Sequence, residues 1–438
     1  MLSTFLKILF RLGLDSGFMR THYDIEGAEA RARFAGTTAL FAAAVSGLGF
    51  FLFWLFSPAV TRAIFDDTEG AQTLWVRLVA ADLFASSFAF VPLGLLRIEE
   101  KAARFSVYAL ARNLANTVLK VVFLQQGFGV TGVLVADAAA SALLSFGLFF
   151  ELRTRARLAF DRAPLLEALR FGLPKVPHGI LAQTLNLFDR RILASFVPRS
   201  EVGLYAMGGN FASAMKFPLS AFEPAWQPFV YDQAKKKEGA REIGRAATRM
   251  ALVFTALATL LALLLPDALR LVIRRSEFHP AAAVVPVLVL ATLFQGYFFL
   301  SSVGISIAKQ ARYYPIITAS ATALNIGLDL WLIPVYGIAA AAWATVAGYA
   351  LMALMGEHFS RRLFPLPFEA RRVAALLLTG VAFCLAGASL GTSLPAIAAR
   401  VFMGALFCAG TFRLALDASD RAELLMVISR SERANDRT

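Results

Sequence analysis

The chain has 438 residues, of which 58% are hydrophobic and 17% charged, with a formal net charge of +13 and two cysteines. Ordinary soluble domains carry about 25% charged residues, so this composition excludes a water-soluble globular fold and makes the bilayer the solvent for each long apolar run. A β-barrel is excluded by the absence of alternating strand patterns. Nucleic acid is excluded as a partner because the Lys and Arg residues gather in short loops between apolar runs and not on one amphipathic face.

Apolar runs bounded by charge, Gly or Pro predict helices near residues 1–19, 35–64, 72–96, 103–125, 129–151, 167–197, 202–231, 243–273, 281–308, 314–334, 337–360, 371–390 and 395–416. The first is not a signal peptide, since Lys7, Arg11 and Asp15 interrupt its apolar stretch and no small-residue cleavage pattern follows. Cys384 and Cys408 lie in apolar runs without His or Cys at metal spacing, so neither a disulfide framework nor a metal site is expected. Alternate connections collect the cations: Arg20, Arg31 and Arg33; Arg97, Lys101 and Arg104; Arg153, Arg155, Arg157 and Arg162; Lys235, Lys236, Lys237, Arg241 and Arg245; Lys309 and Arg312; Arg361, Arg362, Arg371 and Arg372. The opposite connections are poor in them, one carrying Asp66, Asp67 and Glu69, with Arg274 and Arg275 against the pattern. The positive-inside rule then puts the basic loops, and the tail after residue 416, in the cytoplasm.

The chain also repeats itself. Asp15, Phe18, Tyr23 and Asp24 match Glu223, Trp226, Tyr231 and Asp232, each pair 208 positions apart. At the same offset Glu69 matches Glu277, Lys101–Arg104 matches Lys309–Arg312, and Gly129–Leu143 matches Gly337–Leu351; Asn116 and Lys120 match Asn325 and Asp329 with a one-residue gap. An offset that joins helices of the same orientation predicts two parallel repeats related by an axis along the membrane normal, with a substrate site between them. The expected organisation is an N-terminal lobe over 1–153, a cytoplasmic linker over 154–165, a C-terminal lobe over 166–363, two additional helices over 364–416 and a cytoplasmic tail over 417–438. Because the helix near 167–197 has its repeat mate before residue 1, the first lobe is expected to lack its first helix, with a misplaced start codon preferred to a true loss.

Charges inside the membrane cost roughly 2.5–3.5 kcal/mol on insertion scales and mark functional cavities or structural pairs. Lys7, Arg11 and Asp15 recur every four residues and share one helix face; Lys216, Ser220, Glu223 and Gln227 form the equivalent stripe in the repeat mate. Lys175, His178, Asn186 and Asp189 form a third stripe, followed by Arg190 and Arg191. Facing one another, the stripes would line a wet, mainly cationic cleft suited to a phosphate or pyrophosphate. The competing expectation is that Arg11 and Asp15, or Asp189 and Arg190, are structural ion pairs and Lys175 snorkels to the interface. His178 as a proton sensor competes with a hydrogen-bonded structural histidine. Lys120 and Asp137, on otherwise apolar helices, are expected to pair for structure. Pro174, Pro177, Pro218, Pro224 and Pro228 are expected to bend the two helices that open the second half.

Leu12–Arg20 (LGLDSGFMR), Phe171–Gly179 (FGLPKVPHG), Asn186–Arg190 (NLFDR), Glu201–Tyr205 (EVGLY), Phe222–Phe229 (FEPAWQPF) and Asn325 through Pro334–Gly337 (PVYG) resemble the polysaccharide transporters, O-antigen flippase-like, of the multidrug/oligosaccharidyl-lipid/polysaccharide (MOP) exporter superfamily. The likeness runs over nearly the whole chain through short motifs whose order and spacing carry it. It implies an all-α polytopic membrane protein with two parallel-repeat lobes of MATE/flippase type, six helices each, and two extra C-terminal helices, from which this chain is expected to depart with five plus six helices, its first helix missing. It implies alternating access, an undecaprenyl-pyrophosphate-linked oligosaccharide as cargo, and the bacterial inner membrane as location, for O-antigen, capsule or exopolysaccharide synthesis. Membrane lipid and the polymerase or ligase machinery are the expected partners. Lys7, Arg11, Asp15, Lys175, His178, Asn186, Lys216, Glu223 and Gln227 are the candidate cavity residues, taken from the charge pattern. No cofactor and no enzymatic activity are expected, since no loop is long enough for a donor-binding domain and no phosphate-cradling Gly-rich loop occurs. The alternatives are a multidrug or peptidoglycan-precursor transporter of the same superfamily and, less favoured, a membrane glycosyltransferase.

Overall fold

The computed structural model describes residues 2–64 and 70–415; side chains at 2–4, 64, 70, 71, 186, 187, 414 and 415 are outside the description. The acidic connection with Asp66, Asp67 and Glu69 and the tail 417–438 therefore lie outside the described residues. Every regular element among the described residues is helical: α1 Leu2–Arg11, α2 Leu14–Asp24, α3 Ala28–Leu55, α4 Ser57–Ile64, α5 Gly70–Ser87, α6 Phe90–Ile98, α7 Ala102–Gln125, α8 Gly129–Arg155, α9 Arg162–Gly172, α10 Lys175–Phe196, α11 Arg199–Ala212, α12 Lys216–Gln233, α13 Gly239–Val272, α14 Val285–Ser301, α15 Val303–Ile307, α16 Tyr313–Leu363, α17 Ala370–Ala388 and α18 Leu394–Gly410, with a short π-helical turn at 411–415 and 3-10 turns at 213–215 and 276–283. Nine segments among the described residues are long and apolar enough to cross a membrane, so the chain is an all-α multi-pass membrane protein. α1, α2, α10 and α12 are not among the nine: α1 and α2 are too short at 10 and 11 residues, and α10 and α12 carry Lys175, Asp189 and Arg190, and Lys216 and Glu223.

Several runs expected as single helices are broken. The run 35–64 divides at Phe56, 72–96 at residues 88–89, 167–197 at Leu173–Pro174 and 202–231 at the 3-10 turn 213–215. In each case the helix restarts one or two residues before a proline: Pro58, Pro92, Pro177 and Pro218. Proline is tolerated in the first turn, where its missing N–H has no intrahelical acceptor to lose, so it permits a new helix where it would break an old one. The run 1–19 divides instead at Leu12 and Gly13, both left-handed (φ 49° and 68°).

The chain forms two compact units, one of residues 1–180 with 224–231, the other of 181–223 with 232–438. In the first, α5 lies between α3 and α8, α7 packs on α8 and α2 on α9. Its core includes Leu14, Phe18, Phe34, Phe90, Leu95 and Leu165. In the second, α14 packs against α13, α11 and α16, while α17 and α18 pack on α13.

The repeat is visible in the backbone. Gly129, where α8 begins, and Gly337, inside α16, both take left-handed φ (53° and 57°), a conformation that costs glycine little. Each lets the chain double back into a helical hairpin: Asn116 of α7 reaches Asp137 of α8, and a Cβ at Gly348 would meet Asn325 and Ala321 earlier in α16.

α2 and α9 touch through backbone: a Cβ on Gly17 would lie 2.2 Å from the Ala168 carbonyl oxygen. Gly17→Val is expected to lose about 1–3 kcal/mol of stability through overpacking, seen as a lowered Tm in detergent, whereas Gly47→Ala, with its nearest neighbour at 3.6 Å, should leave Tm unchanged. His22, on α2 beyond the apolar stretch, is buried beside Phe18 with no partner for Nδ1 among the described residues. Burial and the Arg31 charge, partly offset by Glu99, lower its pKa from 6.5 to about 4. The fold favours the neutral ring, so its contribution is full above 6.5 and is lost as pH falls toward 4. Tm measured against pH should show this loss in the parent chain and less of it in His22→Phe; equal slopes would count against it.

Candidate functional site

Each unit carries polar side chains inside its helical hairpin, and the two hairpins solve the resulting charge problem differently. In the first unit, Arg112, Asn116 and Lys120 recur every four residues on α7, and Asp137 and Ser141 are four apart on α8, so each set shares a face. Asp137 Oδ1 accepts from Asn116 Nδ2 at 2.8 Å and pairs with Lys120 Nζ at 2.8 Å, the pairing expected of Lys120. One turn on, Arg112 Nη2 donates to Ser141 Oγ at 3.2 Å, Ser141 donates to Asp82 Oδ1 at 2.5 Å, and Asp82 Oδ2 meets Lys7 Nζ at 3.1 Å. The ladder is closed: both carboxylates have cationic partners.

In the second unit the register of the repeat sets Asn325, Asp329 and Thr345 where the first has Asn116, Lys120 and Asp137. The basic member has become an acid, and the acidic member a hydroxyl. Asn325 and Asp329 are both 0% exposed. Neither Asp329 oxygen and neither polar atom of the Asn325 amide has a hydrogen-bond partner among the described residues. Asp189 of α10, also buried, is close enough to act on Asp329 electrostatically. Its Oδ2 accepts from the Tyr205 hydroxyl at 2.5 Å and its Oδ1 from the Arg190 backbone N–H at 2.7 Å. Tyr205 is also within reach of Thr345, whose own hydroxyl donates to the Ala341 carbonyl at 2.8 Å. The result is a buried cluster of two carboxylates, an amide and two hydroxyls, in which Asp329 has no hydrogen-bond or ion-pair partner among the described residues. In a low-dielectric interior such a carboxylate must be neutralised by a bound cation, a proton included.

The residues singled out in the sequence fall as follows. Lys7 is held by Asp82, and Arg11 by Asp15 at 3.0 Å, the ion pair that competed with a cavity role. Lys175 Nζ stands 4.8 Å over the Phe171 ring. His178 and Gln227 are half-buried in the first unit, and the Asn186 side chain lies outside the described residues. Lys216 and Glu223 of the second unit are exposed, and neither has an ion-pair or hydrogen-bond partner among the described residues. Lys216 lies within electrostatic range of Asp189. Among the described residues no group of three or more His, Cys, Asp or Glu side chains could hold a metal ion.

Sequence reasoning singled out neither Asp82 nor Arg112, and met Asp329 only as the repeat mate of Lys120. The signal that could have found Asp329 was in that register, where an acid replaces a base inside an apolar run.

Asp137→Asn should strand Lys120 and cost about 1–3 kcal/mol, whereas Asp329→Asn, which removes an unmatched buried charge, should leave Tm unchanged or raise it. Thermal unfolding of the two variants in one detergent checks this; equal losses would refute the contrast between the hairpins.

A family model described as polysaccharide biosynthesis protein matches residues 1–232. No curated protein matches the chain. Among solved structures, the chain is similar to a multidrug resistance MATE family transporter of the MOP superfamily in an outward-facing conformation, at 15% identity and TM-score 0.68, over 85% of this chain and 86% of that one. It is also similar to the Vibrio cholerae MATE transporter VcmN in the bent form, at 16% identity and TM-score 0.64, over 84% and 88% of the two chains. A MATE structure in the bent conformation aligns at 15% identity and TM-score 0.64, over 86% of each chain. At these identities the likeness shows the fold, and the fold is that of the MATE transporters.

Proposed function

The chain belongs to the polysaccharide biosynthesis protein family, and from that premise we propose that it is a flippase that carries an anionic, lipid-linked oligosaccharide across a bacterial inner membrane by alternating access. The cargo is an undecaprenyl-pyrophosphate-linked glycan destined for O-antigen, capsule or exopolysaccharide, and the basic loops and the C-terminal tail face the cytoplasm. The observation that carries the reading is Lys216: an exposed ammonium without an ion-pair or hydrogen-bond partner among the described residues, at the start of a helix that also exposes Glu223. Lipid does not tolerate such a group, so its place is in water beside a passing anion. Lys7, Arg11, Asp15, Lys175, His178 and Gln227 of the first unit, and Asn186 and Glu223 of the second, are the further residues proposed to act on the cargo. Lys7 and Arg11 would have to release Asp82 and Asp15 to bind cargo, which puts the weight on Lys216. Asp329 with Asp189 and Asn325 takes up the cation that drives the cycle, a reading supported by the enclosure of Asp329 without a hydrogen-bond partner among the described residues.

Proteoliposomes loaded with a fluorescent polyprenyl-pyrophosphate oligosaccharide provide the test. Losing one charge-assisted contact of about 1.5–3 kcal/mol should slow flipping by Lys216→Ala roughly 10- to 100-fold, with Lys216→Arg recovering much of the rate. Asp329→Asn should abolish the dependence of flipping on an imposed cation gradient. Flipping by Lys216→Ala at the parent rate would remove the proposed cargo site, and export of a lipophilic cation in place of the glycan lipid would point to the multidrug alternative.

A further inference from the structure

The second unit contains an apolar trough unrelated to the carboxylate pocket. It has a volume of about 560 Å³ and runs between α13, α14 and α17, with Leu263, Leu290, Trp343, Leu377, Val381 and Leu385 among its walls. Arg270 and Arg400 also line it. Two guanidinium groups on an apolar trough in a membrane need anions, and among the described residues one carboxylate, Asp267, pairs with both.

That carboxylate is committed to Arg400. Arg400 is buried, and all of its nitrogens are used: Nη1 donates to Asp267 Oδ2 at 2.5 Å, Nε to the Gly387 carbonyl at 3.0 Å, and Nη2 to the Leu390 and Gly391 carbonyls at 2.8 and 2.5 Å. It clamps the turn after α17 onto α13. Arg270, one turn beyond Asp267, holds Asp267 Oδ1 through Nη1 at a long 3.3 Å. Its Nε and Nη2 have no partner among the described residues, and its side chain is 34% exposed. Among the described residues the cluster thus has two positive charges and one negative, and the surplus sits on the arginine with open donors, itself one of the residues lining the trough.

We propose that this trough is a lateral site for an anionic phospholipid of the bilayer: an acyl chain lies along the apolar walls and the phosphate meets the open edge of Arg270. Guanidinium is suited to a phosphate because two parallel N–H donors match two phosphate oxygens. Hydrocarbon is suited to the trough because the surrounding helices α13, α14 and α17 are among the membrane-crossing segments. A free anion would leave the trough unfilled, and a neutral lipid would leave Arg270 uncompensated. The site is independent of the cargo reading, since none of its residues belongs to the proposed cargo or cation groups.

The experiment uses the purified full-length chain, delipidated in detergent and titrated with phosphatidylglycerol or phosphatidylcholine while bound lipid is counted by native mass spectrometry. The parent chain should hold phosphatidylglycerol roughly tenfold more tightly, the size expected of one charge-assisted contact. Arg270→Gln should erase that preference and Arg270→Lys keep part of it. Ala283→Trp, at an exposed trough position, should weaken both lipids. Arg400 and Asp267 are left intact, so an unchanged Tm certifies the fold. Equal affinity for the two lipids in the parent chain would overturn the proposal, as would wild-type binding by both Arg270→Gln and Ala283→Trp. Displacement of phosphatidylglycerol by millimolar inorganic phosphate would show that the arginine captures the ion alone and would overturn it too.

Discussion

A charge inside hydrocarbon has to be matched, hydrated or neutralised, and the arrangement of polar side chains in this protein follows from that requirement. In the first unit the match is internal: Asp137 has Lys120 and Asn116, and Asp82 has Lys7 and Ser141. Beside α13 the match is between helices, with Asp267 joining α13 to Arg400 of α18. In the second unit Asp329 has no internal match among the described residues although it is fully enclosed. A protein that can build the closed arrangement and elsewhere leaves it open has a use for the open one, and cation uptake is the use the proposed function assigns.

Helix breaks set where those side chains stand. Pro177 and Pro218 lie in the first turns of α10 and α12, so both helices restart beside their leading charges, Lys175 and Lys216. Their polar content keeps these two helices out of the set that is apolar enough to span lipid unaided, and their stability in the membrane depends on neighbours and on water. The apolar helices form the frame: α14 against α13 and α16 in one unit, α5 against α3 and α8 in the other.

Much of this was legible in the amino-acid sequence. Apolar length located the helices, because hydrocarbon thickness fixes it, and the 208-residue offset marked equivalent hairpins before Gly129 and Gly337 were seen to share a left-handed backbone. Lys120 and Asp137 could be paired because a short connection forces their helices side by side. Lys7 and Asp82 could not, since they are far apart in the chain and periodicity along one helix carries no information about which distant helix it meets. The break at Phe56 was also hidden, because an apolar run reads as continuous while the proline that restarts the helix sits inside it, whereas the interruption at 213–215 falls beside Pro218, one of the prolines expected to bend that helix. Asp329 was overlooked for a related reason: one acid in an apolar run resembles any isolated polar residue until its burial and lack of a partner are known.

The inverted chemistry of the two hairpins bears on how such a chain diverges after duplication. Lys120 and Asp329 occupy corresponding positions, as do Asp137 and Thr345. Two substitutions therefore separate a self-neutralising hairpin from one that must borrow its counter-ion. A duplicated ancestor could let one copy drift to the inert form and retain the demanding form in the other without altering a single helix boundary. Division of labour between the copies then requires no new architecture, only a change in which of them is left electrically incomplete.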